Sequence, residues 1–152
     1  MPAVDLTVMG AEGPKPVGLS DLCADGTTVL FAVPGAFTPT CSAQHLPGYV
    51  EQAEALHAKG VDRIICTAVN DVFVMDAWGR DAGVDRQIIM AADGNGDLAR
   101  ALGLEFDGSS FGMGRRSQRY ALIIRDGTIE KVLVEDPGEF RVSSAEHVLD
   151  QL

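Results

Sequence analysis

Short apolar runs alternate with longer amphipathic segments along this chain. Residues 28–33 (TVLFAV) and 63–69 (RIICTAV) are rich in β-branched and apolar side chains, which is typical of strands buried inside a sheet. Residues 38–59 instead carry apolar side chains at helical spacing and predict a long helix that ends at Gly60. Pro47 and Gly48 should kink this helix about two turns after its start.

The other segments extend the alternation of strands and helices. Asp126-Gly127 separates two apolar runs and is a strong turn signal for a β-hairpin, whereas residues 108–117 are polar and glycine-rich and predict a loop. The remaining predicted elements are short strands at 4–8 and around Val17, a helix at 72–80, a strand at 87–91, a helix at 97–102, hairpin strands at 119–124 and 128–135, and a last helix that begins at Ser143 or Ser144 and ends at Leu152.

This order of elements predicts one α/β domain over residues 1–152. The sheet should be mixed, parallel in its first strands and closed by an antiparallel pair, with helices packed against it. The length suits a single domain, and a hydrophobic share of 46% is ample for one core. Functional groups in such sheets tend to lie at the carboxyl ends of the strands.

The net charge of the chain argues against one class of binding partner. A formal net charge of −10 argues against nucleic-acid binding, because phosphates would be repelled. No stretch approaches the roughly 18 apolar residues of a membrane span. The N-terminal residues have no basic start and no long apolar run follows them, so we expect a cytoplasmic location.

The cysteine count argues against several kinds of site. Cys23, Cys41 and Cys66 are an odd number without C-x-x-C spacing, which argues against a disulfide framework, a structural zinc site and a thioredoxin-type disulfide oxidoreductase. The run at residues 93–97 (DGNGD) resembles the opening of a calcium loop but lacks the later glycine and glutamate, so it predicts a plain turn into a helix. We therefore expect no metal and no cofactor.

One cysteine occupies a chemically favourable position. The strand at 28–33 is followed by a Pro34-Gly35 turn, with Thr38 as the predicted N-cap and Pro39 at the first helical position. Cys41 then falls in the first helical turn, where backbone N–H groups lack partners and the helix dipole is positive. Its thiol should lose a proton more easily than a free thiol, which predicts a reactive cysteine; the alternative is a buried cysteine that happens to begin a helix.

The residues around Cys41 resemble the peroxidatic motif P-x-x-x-T-x-x-C of the peroxiredoxins. Three further segments, at residues 45–49 (HLPGY), 69–74 (VNDVFV) and 115–120 (RRSQRY), are similar to the type II, or fifth-class, peroxiredoxins and occur in the same order. The resemblance runs from about Leu6 to Leu152. It implies a thioredoxin-like fold and a tendency to form homodimers that pack near the active-site loops.

The resemblance also implies a role for each matching residue. Cys41 would be the nucleophile that attacks peroxide, Thr38 would hold the peroxide and hydrogen-bond the sulfur, and Pro34 would shield the site from water. Arg119 would supply the family's arginine, and a supporting role for the preceding arginines, 115 and 116, stays open. The chemistry needs such groups, because the sulfur must be ionised, the two oxygens aligned, and charge on the departing oxygen stabilised.

The predicted function is therefore a thiol-dependent peroxidase that reduces hydrogen peroxide and alkyl hydroperoxides through a cysteine sulfenic acid. The alternative is a non-catalytic redox sensor or binding module that uses Cys41 as a switch on a partner protein. The combination of Pro34, Thr38, Cys41 and Arg119 favours the enzyme, because a switch needs no residues that hold peroxide.

Cys66 is the possible resolving cysteine of the catalytic cycle. Some type II relatives have a cysteine at this place, but a buried core residue on a central strand is the favoured interpretation. Other relatives carry a resolving cysteine near the last helix, where this chain reads RVSS at residues 141–144. A one-cysteine cycle follows, with glutathione and glutaredoxin, or thioredoxin, as the reductant.

His45 lies four residues after Cys41, so both side chains can share one helix face. One interpretation is a cysteine–histidine pair in which the imidazole acts as base. The favoured interpretation is a histidine that makes a local hydrogen bond or packs beside the kink, because the helix start and an arginine already suffice to ionise sulfur.

Overall fold

The apolar run that the sequence places at residues 28–33 forms the centre of a seven-stranded mixed sheet. The computed structural model describes all residues 1–152, and the strand order in the sheet is β2-β1-β5-β4-β3-β8-β9. A separate two-stranded sheet consists of β6 and β7. The strands are β1 (Asp5–Gly10), β2 (Gly13–Gly18), β3 (Thr27–Val33), β4 (Arg63–Ala68), β5 (Ile89–Ala92), β6 (Glu105–Asp107), β7 (Arg115–Ser117), β8 (Tyr120–Arg125) and β9 (Thr128–Val134).

Five α-helices accompany the sheet, and two of them begin with a side-chain cap. Asp71 accepts a hydrogen bond from the Val74 N–H, and Ser144 accepts one from the His147 N–H, as capping residues do. None of the helices combines the length and the apolar character needed to cross a membrane. The helices are α1 (Leu19–Leu22), α2 (Leu46–Ala58), α3 (Val72–Ala82), α4 (Asp97–Leu102) and α5 (Ala145–Gln151).

The two faces of the sheet carry separate apolar cores. Side chains alternate across β3, so that Phe31 packs with residues of α2, α3 and α5, while Leu30 packs with residues of α1 and α4. Both residues are fully buried. This arrangement confirms the predicted mixed sheet flanked by helices.

The sheet differs from the prediction at its N-terminal side. β3, β4 and β5 are parallel and β8 and β9 add an antiparallel pair, as expected. The hairpin of β1 and β2, however, joins β5 in the antiparallel sense and makes the opposite edge. Antiparallel pairs therefore form both edges of the sheet. The sequence did not predict the second edge, because the residue pattern of a short N-terminal hairpin does not indicate which strand it will pair with.

The predicted loop at 108–117 was also only partly right. Its last residues belong to β7, which pairs with β6 across a tight connection that contains a single 3₁₀ turn at Ser109–Phe111. These strands are three residues long, too short for an alternating pattern to be recognised in sequence.

The sheet topology brings two distant parts of the chain together. β8 runs antiparallel to β3, with Tyr120 opposite Ala32. The residue before β8, Arg119, therefore lies beside the carboxyl end of β3, where the chain turns toward Cys41. Arg119 and Cys41, which are 78 residues apart in the sequence, are therefore in direct contact.

Candidate active site

A strained loop connects β3 to the first helical turn. Phe37 has a φ of 63°, which is unusual for a bulky side chain and costs free energy that the surrounding contacts must supply. The Ala36 N–H donates to Asn70 Oδ1 at 3.0 Å, and the Thr38 hydroxyl donates to the Gly35 carbonyl at 2.7 Å. A Cβ at Gly35 would lie 3.1 Å from both Met113 Cε and Thr38 Cγ2, so this close packing favours glycine there.

The Thr38 hydroxyl makes a different hydrogen bond from those that the sequence predicts. Its hydrogen closes the turn on Gly35, and no hydrogen bond joins the hydroxyl to Cys41 Sγ or to a helix N–H. Neither the expected cap nor the expected bond to sulfur is formed. The hydroxyl has only one hydrogen, and because the tight turn uses it, none is left to donate to the sulfur. The oxygen lone pairs stay available to accept a hydrogen bond.

The helix that follows begins with a widened turn. Residues 39 and 40 are helical, Cys41–His45 forms a π-helical turn, and α2 continues from Leu46. Pro47 has no N–H to donate to the carbonyl four residues earlier, and its ring would collide with that carbonyl in a regular helix. The predicted irregularity therefore exists, but it is a π turn ahead of the proline, a type of turn often found at functional sites.

Cys41 lies in the first turn of this helix, as predicted, and its sulfur meets a guanidinium. Arg119 Nη2 donates to Cys41 Sγ at 3.1 Å, and Cys41 is fully buried. A fixed positive charge and the unpaired N–H groups of a helix start both stabilise a thiolate relative to a thiol. The environment of the sulfur is thus polar on the side that faces Arg119, although the residue belongs to the apolar core.

His45 makes a hydrogen bond with the other terminal nitrogen of the same guanidinium. Its Nδ1 accepts from Arg119 Nη1 at 2.7 Å, and its Nε2 lies 3.0 Å from the Ser143 carbonyl. Burial, followed by the charge of Arg119, lowers the pKa of His45 to about 3, so the imidazole is neutral at physiological pH. The structure favours the hydrogen-bonding interpretation over a cysteine–histidine base, and the partners are distant in sequence.

Acidification is expected to weaken the folded state through this histidine. The unfolded imidazole titrates near its ordinary pKa of 6.5 and the folded one near 3. Between these values the unfolded chain binds a proton that the folded chain does not, so the free energy of unfolding falls as the pH drops below 6.5, with a limiting slope of about 1.4 kcal/mol per pH unit. Urea unfolding at pH 7.5 and pH 5.0 measures this loss.

The matched control for that measurement is His45→Asn, which has no titrating group at this position. Its free energy of unfolding should change less over the same interval. Glu135 adds a loss of the same sign only at more acidic pH, because hydrogen bonds that outweigh its burial lower its pKa from 4.5. Equal pH dependence in the two proteins would contradict a neutral buried imidazole.

Arg116 supports the site without reaching the sulfur. Its Nη1 donates to the Val69 carbonyl at 3.0 Å and its Nε to the Met113 carbonyl at 2.9 Å, so it joins the loop after β4 to the segment before β7. Arg115 is exposed on the same strand. Of the two arginines whose role the sequence left open, Arg116 is therefore the structural one.

A cavity of about 600 Å³ is lined in part by Pro34, Thr38 and Arg119, and Arg119 connects it to the buried sulfur of Cys41. All three residues were predicted from sequence. Its other lining residues were not predicted, because the β6–β7 connection and the segment after β9 reach the site only through tertiary structure. They include the apolar Phe106, Phe111 and Met113 and the acidic Glu105, Asp107, Glu135, Asp136 and Glu139.

Cys66 lies on β4, fully buried and opposite Phe31 of β3. All three cysteines carry free thiols. Burial, with a further contribution from Cys41, raises the pKa of the Cys66 thiol well above its ordinary value of 9.0. A protonated thiol is a poor nucleophile, so this environment is unfavourable for a resolving cysteine.

The structure contains no group of three or more His, Cys, Asp or Glu side chains arranged to hold a metal ion. Asp93, from the calcium-like run, accepts hydrogen bonds from the Leu98 and Ala99 N–H groups at 3.0 and 3.1 Å. Its carboxylate therefore binds the start of α4, as the predicted turn into a helix requires.

Comparisons with known proteins agree with this geometry. The Redoxin family model matches residues 1–149. Peroxiredoxin-2E-2, chloroplastic, of Oryza sativa subsp. japonica is 52% identical over 91% of this chain and 63% of its own length, and Peroxiredoxin-2B of Arabidopsis thaliana is 50% identical over 86% and 81%. The chain thus spans less than two thirds of the length of the rice protein.

A solved structure gives the same result for the fold. The crystal structure of reduced Prx3 in complex with hydrogen peroxide from Vibrio vulnificus superposes with a TM-score of 0.95 at 49% identity, and the alignment covers 99% of this chain and 94% of that one. The thioredoxin-like fold is therefore confirmed. Together with the Cys41–Arg119 contact, these similarities show that the chain belongs to the type II peroxiredoxins.

Proposed function

We propose that this protein is a thiol-dependent peroxidase that reduces hydrogen peroxide and alkyl hydroperoxides. The observation that carries the proposal is the 3.1 Å contact between Arg119 and Cys41 Sγ beside an open cavity. Similarity to peroxiredoxins, one of them crystallised with hydrogen peroxide, supports it. A peroxidase assay with glutaredoxin/glutathione and with thioredoxin, run side by side, tests it.

The first step is attack of the Cys41 thiolate on the terminal peroxide oxygen. An S–O bond forms and the O–O bond breaks, so that sulfur is oxidised to sulfenic acid and the other oxygen leaves as an alkoxide or hydroxide that takes up a proton. Arg119 donors stabilise the charge that moves onto this oxygen. The free lone pairs of Thr38 accept the hydrogen of the bound peroxide, and Pro34 limits the access of water.

The sulfenic acid is then reduced by an external thiol in a one-cysteine cycle. A first thiol forms a mixed disulfide with Cys41 and releases water, and a second thiol restores the Cys41 thiol. The buried, protonated state of Cys66 supports this choice over an internal disulfide. Glutathione with glutaredoxin, or thioredoxin, supplies the thiols.

Cys66→Ser is expected to keep the rate of turnover within about twofold of the wild type, because a buried bystander takes no part in the cycle. Mass spectrometry of the peroxide-treated wild type should find Cys41 as sulfenic acid or as a mixed disulfide with the added thiol. A Cys41–Cys66 disulfide in most molecules, together with loss of turnover in Cys66→Ser, would establish the two-cysteine cycle instead.

The alternative function is a redox sensor that is oxidised once and acts on a partner protein. It shares Cys41 with the enzyme but predicts a single stoichiometric oxidation. Repeated turnover of peroxide with a thiol donor separates the two functions, and the cavity lined by Thr38 and Arg119 favours the enzyme.

We also propose that the protein forms homodimers through the surface next to the active-site loops. Phe37, in the loop before Cys41, is 50% exposed, and its ring lies 6.3 Å from Trp78 of α3, the helix that also carries Phe73, which is 63% exposed. Exposed aromatic side chains of this kind are typical of an interaction surface. Sedimentation should give twice the chain mass of 16.1 kDa.

The cytoplasmic location is a further proposal, which cell fractionation tests.

A further inference from the structure

A hydrogen-bonded chain leads from the reactive sulfur to a carboxylate on the far side of the site. Cys41 Sγ accepts from Arg119, whose other arm meets His45 Nδ1 at 2.7 Å. His45 Nε2 lies 3.0 Å from the Ser143 carbonyl, and Glu135 Oε2 accepts from the Ser143 N–H and hydroxyl at 2.9 and 2.7 Å. Three of these residues are not part of the four-residue peroxidatic set.

We propose that His45 is a positioning residue that directs the Arg119 guanidinium at Cys41 without neutralising it, and that Glu135 acts at a distance by anchoring Ser143. The inference rests on the proposed peroxidase function. His45 does not touch the sulfur, so it acts through Arg119.

The direction of the Ser143 carbonyl determines which imidazole nitrogen carries the hydrogen. A carbonyl oxygen can only accept, so Nε2 must donate and Nδ1 presents its lone pair to Arg119. The Tyr49 hydroxyl donates to the same carbonyl at 2.8 Å. The tautomer needed to hold Arg119 is therefore selected by a backbone group that cannot change its role.

A neutral acceptor suits this position better than a carboxylate would. A guanidinium has five N–H donors, and leaving one unpaired in a buried site is costly. A carboxylate would pair that donor but would also offset the positive charge that stabilises the thiolate and the departing oxygen. A neutral imidazole pairs the donor and leaves the whole charge available to the sulfur.

Packing restricts the orientation of both groups. The His45 ring lies 4.9 Å from the rings of Phe31 and Phe140, and Arg119 Cζ lies 5.9 Å from the Phe140 ring. His45 has no exposed surface. The imidazole therefore has little freedom to turn away from the guanidinium.

Glu135 fixes the end of the chain of contacts. Glu135 is 7% exposed, and its carboxylate accepts from the Arg141 N–H at 2.6 Å in addition to its two bonds from Ser143. Bonds from several backbone N–H groups to one carboxylate are strong and directional. They hold the segment after β9 in the conformation that aims the Ser143 carbonyl at His45.

The test compares His45→Phe, His45→Asn and His57→Phe. His45→Phe keeps a ring but removes the acceptor, and we expect a tenfold to hundredfold lower second-order rate constant for peroxide and an alkylation profile of Cys41 displaced to higher pH. His45→Asn restores an oxygen acceptor near the Nδ1 position and should recover at least half of the loss on a logarithmic scale. His57 lies on α2, its imidazole bonds only the Val61 carbonyl, and it is the matched control.

A double-mutant cycle separates positioning from a general effect on folding. In an Arg119→Ala background, His45→Phe should cause no further loss of rate, because its target is gone. Glu135→Gln should reproduce part of the His45→Phe effect. Losses that multiply in the double variant, or an unchanged rate and alkylation profile in His45→Phe, would overturn the proposal.

The proposal and the peroxidase function can fail separately. A wild type that consumes no peroxide would remove the function, while the pH profile of Cys41 alkylation would still report the contact between His45, Arg119 and sulfur. If His45→Phe does not fold, His45→Asn and Glu135→Gln in the two backgrounds decide the result. Normal turnover with unaltered profiles in both would overturn the positioning role.

Discussion

Replacement of Cys41 by serine is expected to abolish peroxide consumption, with a rate constant at least about a thousandfold below the wild type. The serine hydroxyl is not ionised near neutral pH, and its oxygen does not attack an O–O bond to form a stable product. The helix start and Arg119 would remain in place, but without a thiolate they have no nucleophile to stabilise. Stopped-flow measurement of peroxide loss with either reductant gives the result.

The matched control is Cys23→Ser, which removes another fully buried thiol on the opposite face of the sheet. Its activity should match the wild type. Peroxide turnover retained in Cys41→Ser would assign the chemistry to a different cysteine and contradict the proposed function.

Arg119→Ala is expected to lower the second-order rate constant for peroxide by about a hundredfold to a thousandfold, the usual effect of removing one fixed donor from a transition state. The guanidinium has two tasks, since it stabilises the thiolate before attack and the charge on the departing oxygen during it. The alkylation profile of Cys41 should therefore move to higher pH in the same variant.

Arg115→Ala is the control for this change, because Arg115 is an exposed arginine only four residues earlier. It alters the net charge by the same amount without touching the sulfur. If Arg115→Ala and Arg119→Ala slow the reaction equally, the effect is one of overall charge and the direct contact is not responsible.

The sequence was sufficient for most of the fold and for the residues next to the sulfur. The apolar run of β3 followed by the proline, threonine and cysteine of one short segment indicated a reactive cysteine in a first helical turn. Local rules of this kind act within a few residues. They also located α4 within its observed bounds, Asp97–Leu102.

The residues that hold Arg119 could not be predicted in the same way. His45 meets Ser143 across 98 positions and Arg119 across 74, and no periodicity links residues so far apart. The Thr38 hydroxyl shows a different limit: its position was predicted, but the partner of its one hydrogen depends on how tightly the preceding turn closes. Strand pairing determines the contacts of Arg119, and loop closure determines the partner of the Thr38 hydroxyl.

The complete burial of Cys41 implies that the two halves of the cycle need different geometries. A peroxide consists of two small oxygen atoms at its reactive end and can meet the sulfur after a slight displacement of side chains. A disulfide bond between Cys41 and the cysteine of a protein reductant needs the two Cβ atoms within about 4 Å, which a second polypeptide cannot achieve while Cys41 is fully buried. In the proposed cycle, we therefore expect regeneration by a protein reductant to require local unwinding at the π turn of Cys41–His45, so that a more stable turn would slow the reduction of the sulfenic acid.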